Sequence, residues 1–259
     1  MRPTIAVLTR SFVALLLLGL AIGPRQALAE TVNCTPITVV PFTIPTAGTW
    51  CLAQDLNTTL ASGNAITIAA NNVVLDLNGH RLANVGAGPG TEAFGVYAFQ
   101  QTDITIRNGT VRGFKFGIML DDSSPYTTSQ AHVIEDLRAD QNTWIGIWVA
   151  GRGNIIRNTQ VTTTGGATAS ESAVGIVVSG SDSQVLDNDI IHTFGRNTGF
   201  GFGIEFYGAS NCLAVNNRIT HSGGFGIDYA YGSTGRYRDN LTSGTTYPFT
   251  DGTNAGNNN

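Results

Sequence analysis

The stretch "VGIVVSGSDSQVLDNDII", residues 174–191, holds two short apolar, β-branched runs around a polar turn, with Gly175 opening the first run and Asn188 inside the second. The same pattern returns along the chain. Gly followed by Val or Ile opens "GVYAF" at Gly95, "GIMLD" at Gly117, "GIWVA" at Gly146, "GIVVS" at Gly175, "GIEFY" at Gly203 and "GIDYA" at Gly226. Successive glycines lie 22, 29, 29, 28 and 23 residues apart, a period that belongs to solenoids and propellers. Each is answered in the second run by Asn108, Asp136, Asn158, Asn188, Asn217 or Asp239, at distances of 13, 19, 12, 13, 14 and 13 residues.

Apolar runs of four to six residues bounded by Gly, Asn, Ser and Asp suit short strands and leave no room for a helix of ordinary length. A unit this small cannot bury its apolar face alone, so it must stack on its neighbours, and the product is a coil of parallel strands. An Asn or Asp returning at one place in every coil stacks on its own kind. Its side chain can satisfy backbone groups at a bend, so Asn158 and Asn188 are expected to be buried ladder residues. With these Gly and Asn columns the chain resembles the right-handed parallel β-helix proteins of the pectin-lyase-like superfamily, over roughly residues 64–241. The resemblance implies an all-β, right-handed, single-stranded solenoid, the hand general to parallel crossovers.

The ends read differently. Arg2 and Arg10, the apolar stretch "SFVALLLLGLAIG" and the small-residue site "ALA" at 27–29 make residues 1–29 a secretory signal peptide cleaved after Ala29. Thirteen apolar residues are too few to span a bilayer, so a secreted or periplasmic protein is expected. Residues 30–63, with Pro36, Pro41 and Pro45, are expected to cap the first coil, and residues 242–259 to form a loosely ordered tail. Removing three arginines and no acids with the signal peptide leaves 11 basic against 18 acidic residues, a formal charge of −7, with Lys115 the one lysine. That balance argues against nucleic acid or anionic lipid as a partner. In an oxidising compartment Cys34 and Cys51 can close a disulfide, two free thiols being the alternative. Cys212 reads as a small core residue. No Cys or His spacing suggests a metal, and no cofactor is implied. The oligomeric state is not legible.

Alternation within each "G-I-x-V" strand turns two columns of side chains outward. The first is Tyr97, Met119, Trp148, Val177, Glu205 and Asp228; the second is Phe99, Asp121, Ala150, Ser179, Tyr207 and Ala230. The long units lengthen at "DDSSPYTTSQAH", "TTTGGATASESA" and "HTFGRNTGFGF", and insertions on a solenoid gather at its binding face. An aromatic ribbon walled by loops suits a polysaccharide; the plainer alternative is that these aromatics are ordinary strand formers. Glu205 and Asp228 on neighbouring coils could work as an acid and base pair, with His192 reaching in from a wall loop. Tyr97, Asp121, Trp148, Tyr207 and Arg196 are the candidate substrate contacts. The alternative for each carboxylate is a solvated acidic face.

The resemblance itself implies no single reaction. The superfamily includes polygalacturonase-like hydrolases, pectate-lyase-like enzymes and alginate epimerases. The Asn-Thr-Asp, Gly-His-Gly, Arg-Ile-Lys and Asp-Pro-His-Glu signatures of its hydrolases and epimerases do not occur here, and the outward columns carry no Lys or Arg for a lyase. The expected function is therefore binding of a polysaccharide along the exposed ribbon, with its cleavage or modification left open by the sequence, and the alternative is a non-catalytic structural or surface-interaction β-helix with no glycan substrate.

Overall fold

The computed structural model describes residues 33–168 and 172–259, so the expected signal peptide lies outside the described residues. Over the rest, strands succeed one another with a single short 3-10 turn at Val85–Ala87. They wind into two sheets in which every pairing between strands is parallel. One sheet contains nine strands among the described residues, from Phe42–Ile44 through Glu92–Phe99, Phe116–Asp121, Ile145–Arg152, Ala173–Ser181, Gly201–Tyr207 and Phe225–Ala230 to Tyr247–Thr250. The other folds into two faces. Ile104–Arg112 and Val133–Asp140 run through both of these faces, whereas later coils break into two strands at a bend, such as Ile155–Arg157 and Gln160–Gly165.

That bend explains the Asn column, and corrects it. Asn78, Asn108, Asp136, Asn158, Asp187, Asn216, Asp239 and Asn257 all have φ between 50° and 59°, the left-handed conformation that Asn and Asp tolerate best among residues with a side chain. Asn158 is therefore exposed at the bend and is not a ladder residue. The ladder lies one position later. Asn188 Oδ1 accepts from the Thr159 amide at 3.0 Å, Asn217 Oδ1 from the Asn188 amide at 3.1 Å, and Asn240 Oδ1 from the Asn217 amide at 2.9 Å. The Asn188 amide group donates to the carbonyl of Ile156 at 3.0 Å and to Asn217 Oδ1 at 3.0 Å. Sequence spacing merged two adjacent polar columns because in several coils both positions hold Asn or Asp.

The Gly column has a steric cause. A Cβ built on Gly146, Gly175 or Gly203 would lie 2.6 Å from the carbonyl oxygen of the corresponding Gly in the next coil, and beside Val161, Ile190 or Ile219 of the core. Only hydrogen fits where the strand enters the nine-stranded sheet. Inside, apolar residues of successive coils form one continuous core, from Ile37 and Ile44 to Ile227 and Tyr229.

The coil is longer than the repeat suggests. Thr35–Ile37 pairs with Gly48–Leu52, and Phe42–Ile44 with Ser62–Ile68, so the segment expected to be a cap is built as a coil of the same two sheets. Pro36 sits on the terminal strand of its sheet, the edge position to which a strand proline is confined. Cys34 and Cys51 are disulfide-bonded, tying this first coil together. At the other end Tyr247–Thr250 and Thr253–Asn254 extend both sheets, and Asn258 Oδ1 accepts from the Asn240 amide at 3.0 Å. Residues 242–259 are thus the last coil and not a loose tail. Backbone pairing and one Asn suffice there, although the Gly-led apolar run is missing. Cys212 is buried.

Candidate functional site

The outer face of the nine-stranded sheet carries the candidate ribbon, and strand register fixes its columns. Tyr97, Met119, Trp148, Val177, Glu205, Asp228 and Thr250 are successive partners across seven coils. A second outward column, Phe94, Phe116, Ile145, Val174, Phe202, Phe225 and Tyr247, runs alongside it. Its rings stack: Phe94 on Phe116 at 4.9 Å, Phe202 on Phe225 at 4.6 Å and Phe225 on Tyr247 at 4.9 Å. Sequence reasoning missed this column. Its signal was the apolar residue before each repeat Gly, as in "FG" at 94, 116, 202 and 225.

Between the two columns lies a pocket of about 370 Å³ lined by Trp144, Ile145, Trp148, Ser172, Val174, Val177, Phe202, Glu205, Tyr207 and Tyr231, drawn from four consecutive coils. Tyr207 and Tyr231 face each other at 4.5 Å and are 38% and 75% exposed. The floor is apolar: Phe116, Ile145, Val174 and Val177 form a buried cluster outside the main core, with Trp144, Trp148 and Phe202 packed on it. Trp148 is consequently half-buried, 6.1 Å from the Phe116 ring, with its indole N–H buried and unpaired among the described residues. Trp148, a candidate substrate contact in the sequence, therefore lines the pocket from its apolar floor and does not stand free of it. Tyr207 and Tyr231 are the exposed rings of the lining.

Glu205 and Asp228 are direct partners on adjacent strands. Burial over the apolar floor, together with the neighbouring Asp228 carboxylate, pushes the Glu205 carboxyl up to about 7. Asp228 is 8% exposed, and burial raises its pKa while a hydrogen bond from Thr250 opposes the rise. One carboxyl of the pair thus holds its proton close to neutrality, and does so beside the exposed tyrosines.

The remaining candidate residues spread out. Tyr97 and Asp121 sit together, away from the pocket, each with its pKa raised mainly by burial. Arg196 is exposed and donates from Nη1 to the carbonyl of Thr168 at 2.7 Å, tying two of the insertions to each other. His192 lies on the Asp189–Phe194 strand of the other sheet, its ring 5.1 Å from that of His221; it is not among the pocket-lining residues. The first insertion, which holds Asp121 and Asp122, lines a separate hollow with Tyr126 and Arg152. Beneath it Asp122, Ser129 and His132 are buried together. Their hydrogen bonds rule out a nucleophilic serine. His132 Nδ1 accepts the Ile104 amide at 3.2 Å and burial holds its pKa down to about 4. The proton therefore sits on Nε2, which donates to Ser129 Oγ at 2.7 Å, and Ser129 in turn donates to the Gln101 carbonyl at 3.0 Å. Among the described residues no three His, Cys, Asp or Glu side chains cluster as metal ligands, and no helix is long and apolar enough to cross a membrane.

No curated protein matches the sequence. Among solved structures, the enzymatically active domain of bacteriophage CBA120 tailspike protein 2 is similar with a TM-score of 0.57 and 15% identity, covering 85% of this chain and 38% of its own. The periplasmic alginate epimerase AlgG is similar with a TM-score of 0.55 and 12% identity, covering 82% of this chain and 51% of its own. The chain thus spans about half the length of these neighbours or less, and the likeness is one of fold. The model of the right handed beta helix region matches residues 94–258. Together with the parallel coils and their Gly and Asn columns, this match shows that the chain belongs to the right-handed parallel β-helix family, with a pectin-lyase-like fold.

Proposed function

We propose that the protein is exported by its N-terminal signal peptide and binds a polysaccharide along the outer face of the nine-stranded sheet, at the pocket between Trp144 and Tyr231. The observation that carries this reading is the exposed pair Tyr207 and Tyr231 beside Glu205, above an apolar floor. Aromatic faces pack on the C–H faces of sugar rings, and a carboxyl next to them takes the hydroxyl edges. Tyr231→Ala is expected to weaken binding of a captured polysaccharide by about tenfold or more, as removal of a central aromatic anchor does, and to leave the melting temperature nearly unchanged, since the ring is 75% exposed. Calorimetric titration against a polysaccharide panel tests this. Binding that is indifferent to both Tyr231→Ala and Tyr207→Ala removes the pocket from the reading.

A hydrolytic role for the same pocket is supported by one further observation, the carboxyl pair with Glu205 pushed up to about 7. A protonated Glu205 can donate to a glycosidic oxygen as the bond breaks, and an ionised Asp228 can serve as base or nucleophile. Glu205→Gln and Asp228→Asn are each expected to abolish release of reducing ends. Binding without turnover of any polysaccharide by the unaltered protein would leave a glycan-binding β-helix with no catalysis.

A further inference from the structure

The charge placement around the pocket allows its ligand class to be narrowed, on the footing that the pocket binds a glycan. Among the described residues the lining holds one carboxyl, Glu205, with Asp228 as its register partner, and no Lys or Arg. The cations on surrounding segments are already engaged. Lys115 pairs with Glu92 and lies 5.1 Å over the Trp144 ring. Arg152 lies 3.6 Å from Asp182 and lines the other hollow. Arg196 is held on the Thr168 carbonyl.

A polyuronate presents a carboxylate on every ring. Laid along this column, it would bring that charge against Glu205 and Asp228 with no guanidinium or ammonium in the described lining to answer it, in a setting where burial already disfavours charge. A neutral sugar meets the same groups on good terms. Its hydroxyls donate to the Glu205 carboxylate, backed by Asp228 on the next coil, and can accept from a protonated Glu205, while its ring faces lie on Tyr207 and Tyr231.

We infer that the pocket selects an uncharged polysaccharide and excludes polyuronates, with Glu205 and Asp228 as the specificity-determining residues. The test is calorimetric titration of the purified mature protein at pH 8 with two panels: neutral α- and β-glucans, mannan and xylan on one side, alginate and polygalacturonate on the other, with and without added calcium. The expected result is Tyr231-dependent binding of a neutral member, with polyuronates weaker by at least about tenfold, and a narrowing of that ratio in Glu205→Gln, which removes the repelling charge. Tyr231-dependent binding of a polyuronate as tight as that of any neutral glycan overturns the selectivity and leaves the binding reading intact, and so does polyuronate binding recruited by calcium bridging the two carboxylates. Binding of neither panel overturns both.

Discussion

At the scale of single residues, two side chains carry consequences that can be measured. Glu205 is neutral in the folded protein at pH values where an exposed glutamate is ionised, because burial and Asp228 raise its carboxyl from 4.5 to about 7. A raised folded pKa means that the folded state binds the extra proton between these two values. Its contribution is therefore present at low pH and declines as pH rises from about 4.5 to 7. Glu205→Gln should gain stability relative to the parent across that window, by about 1–2 kcal/mol after discounting for partial solvent contact. Melting curves at pH 4.5 and pH 8 decide the matter, and an unchanged gap between the two proteins would show a solvated carboxyl. Asn188 tests the ladder. Replacement by Leu strands the Thr159 amide and the Ile156 carbonyl and should cost about 1–3 kcal/mol in urea unfolding. Asn158, one place earlier in its own coil, is exposed at φ 50°. Its replacement by Leu should cost only the left-handed backbone strain, about 1 kcal/mol, so equal losses at the two positions would contradict the one-residue offset between bend and ladder.

At the scale of the element, the nine-stranded sheet owes its stacking to the Gly column and its outer character to the residues on either side. Gly175→Ala places a methyl against the Gly203 carbonyl at 2.6 Å and Ile190 Cγ2 at 2.8 Å. Both distances are below those of real Cβ contacts, and the nearer atom is backbone of the next coil. A loss of about 1–3 kcal/mol is expected, as for other overpacked sites, and an unchanged unfolding midpoint would show that the coils can part. The Phe94 to Tyr247 column illustrates how period-two reasoning fails locally. Gly95 and Val96 are both buried, so alternation slips at each Gly and the residue before it turns outward. Counting from the Gly forward located Tyr97 to Asp228; the slip placed a second apolar stripe beside them, and the pocket exists only because both stripes are present.

At the scale of the whole described chain, a stack in which each coil touches only its neighbours makes stability local. The Cys34–Cys51 disulfide closes a loop between residues 17 apart, for which about 3 kcal/mol is expected. In a solenoid that effect should concentrate in the first coil. A Cys34→Ser, Cys51→Ser variant is expected to speed amide exchange in Thr35–Ile37 and Phe42–Ile44, while Gly201–Tyr207 and Phe225–Ala230 keep their protection. Uniform loss of protection would show that the coils unfold as one unit. The repeat, the parallel coil and the candidate ribbon with Glu205 beside Asp228 were legible in the sequence, because each depends on residue type recurring at a fixed spacing, whereas the Cys34–Cys51 bond was one of two alternatives until the structure closed it. The tertiary structure decided the rest: that residues before 64 and after 241 are coils, that the Asn column is two columns, that His192 and Arg196 do not line the pocket, and that Trp148 is floor and Tyr231 rim. Those outcomes depend on where a bend turns the chain and which neighbour then covers a side chain, and one residue of offset, invisible in a column of Asn and Asp, moves a group from core to solvent.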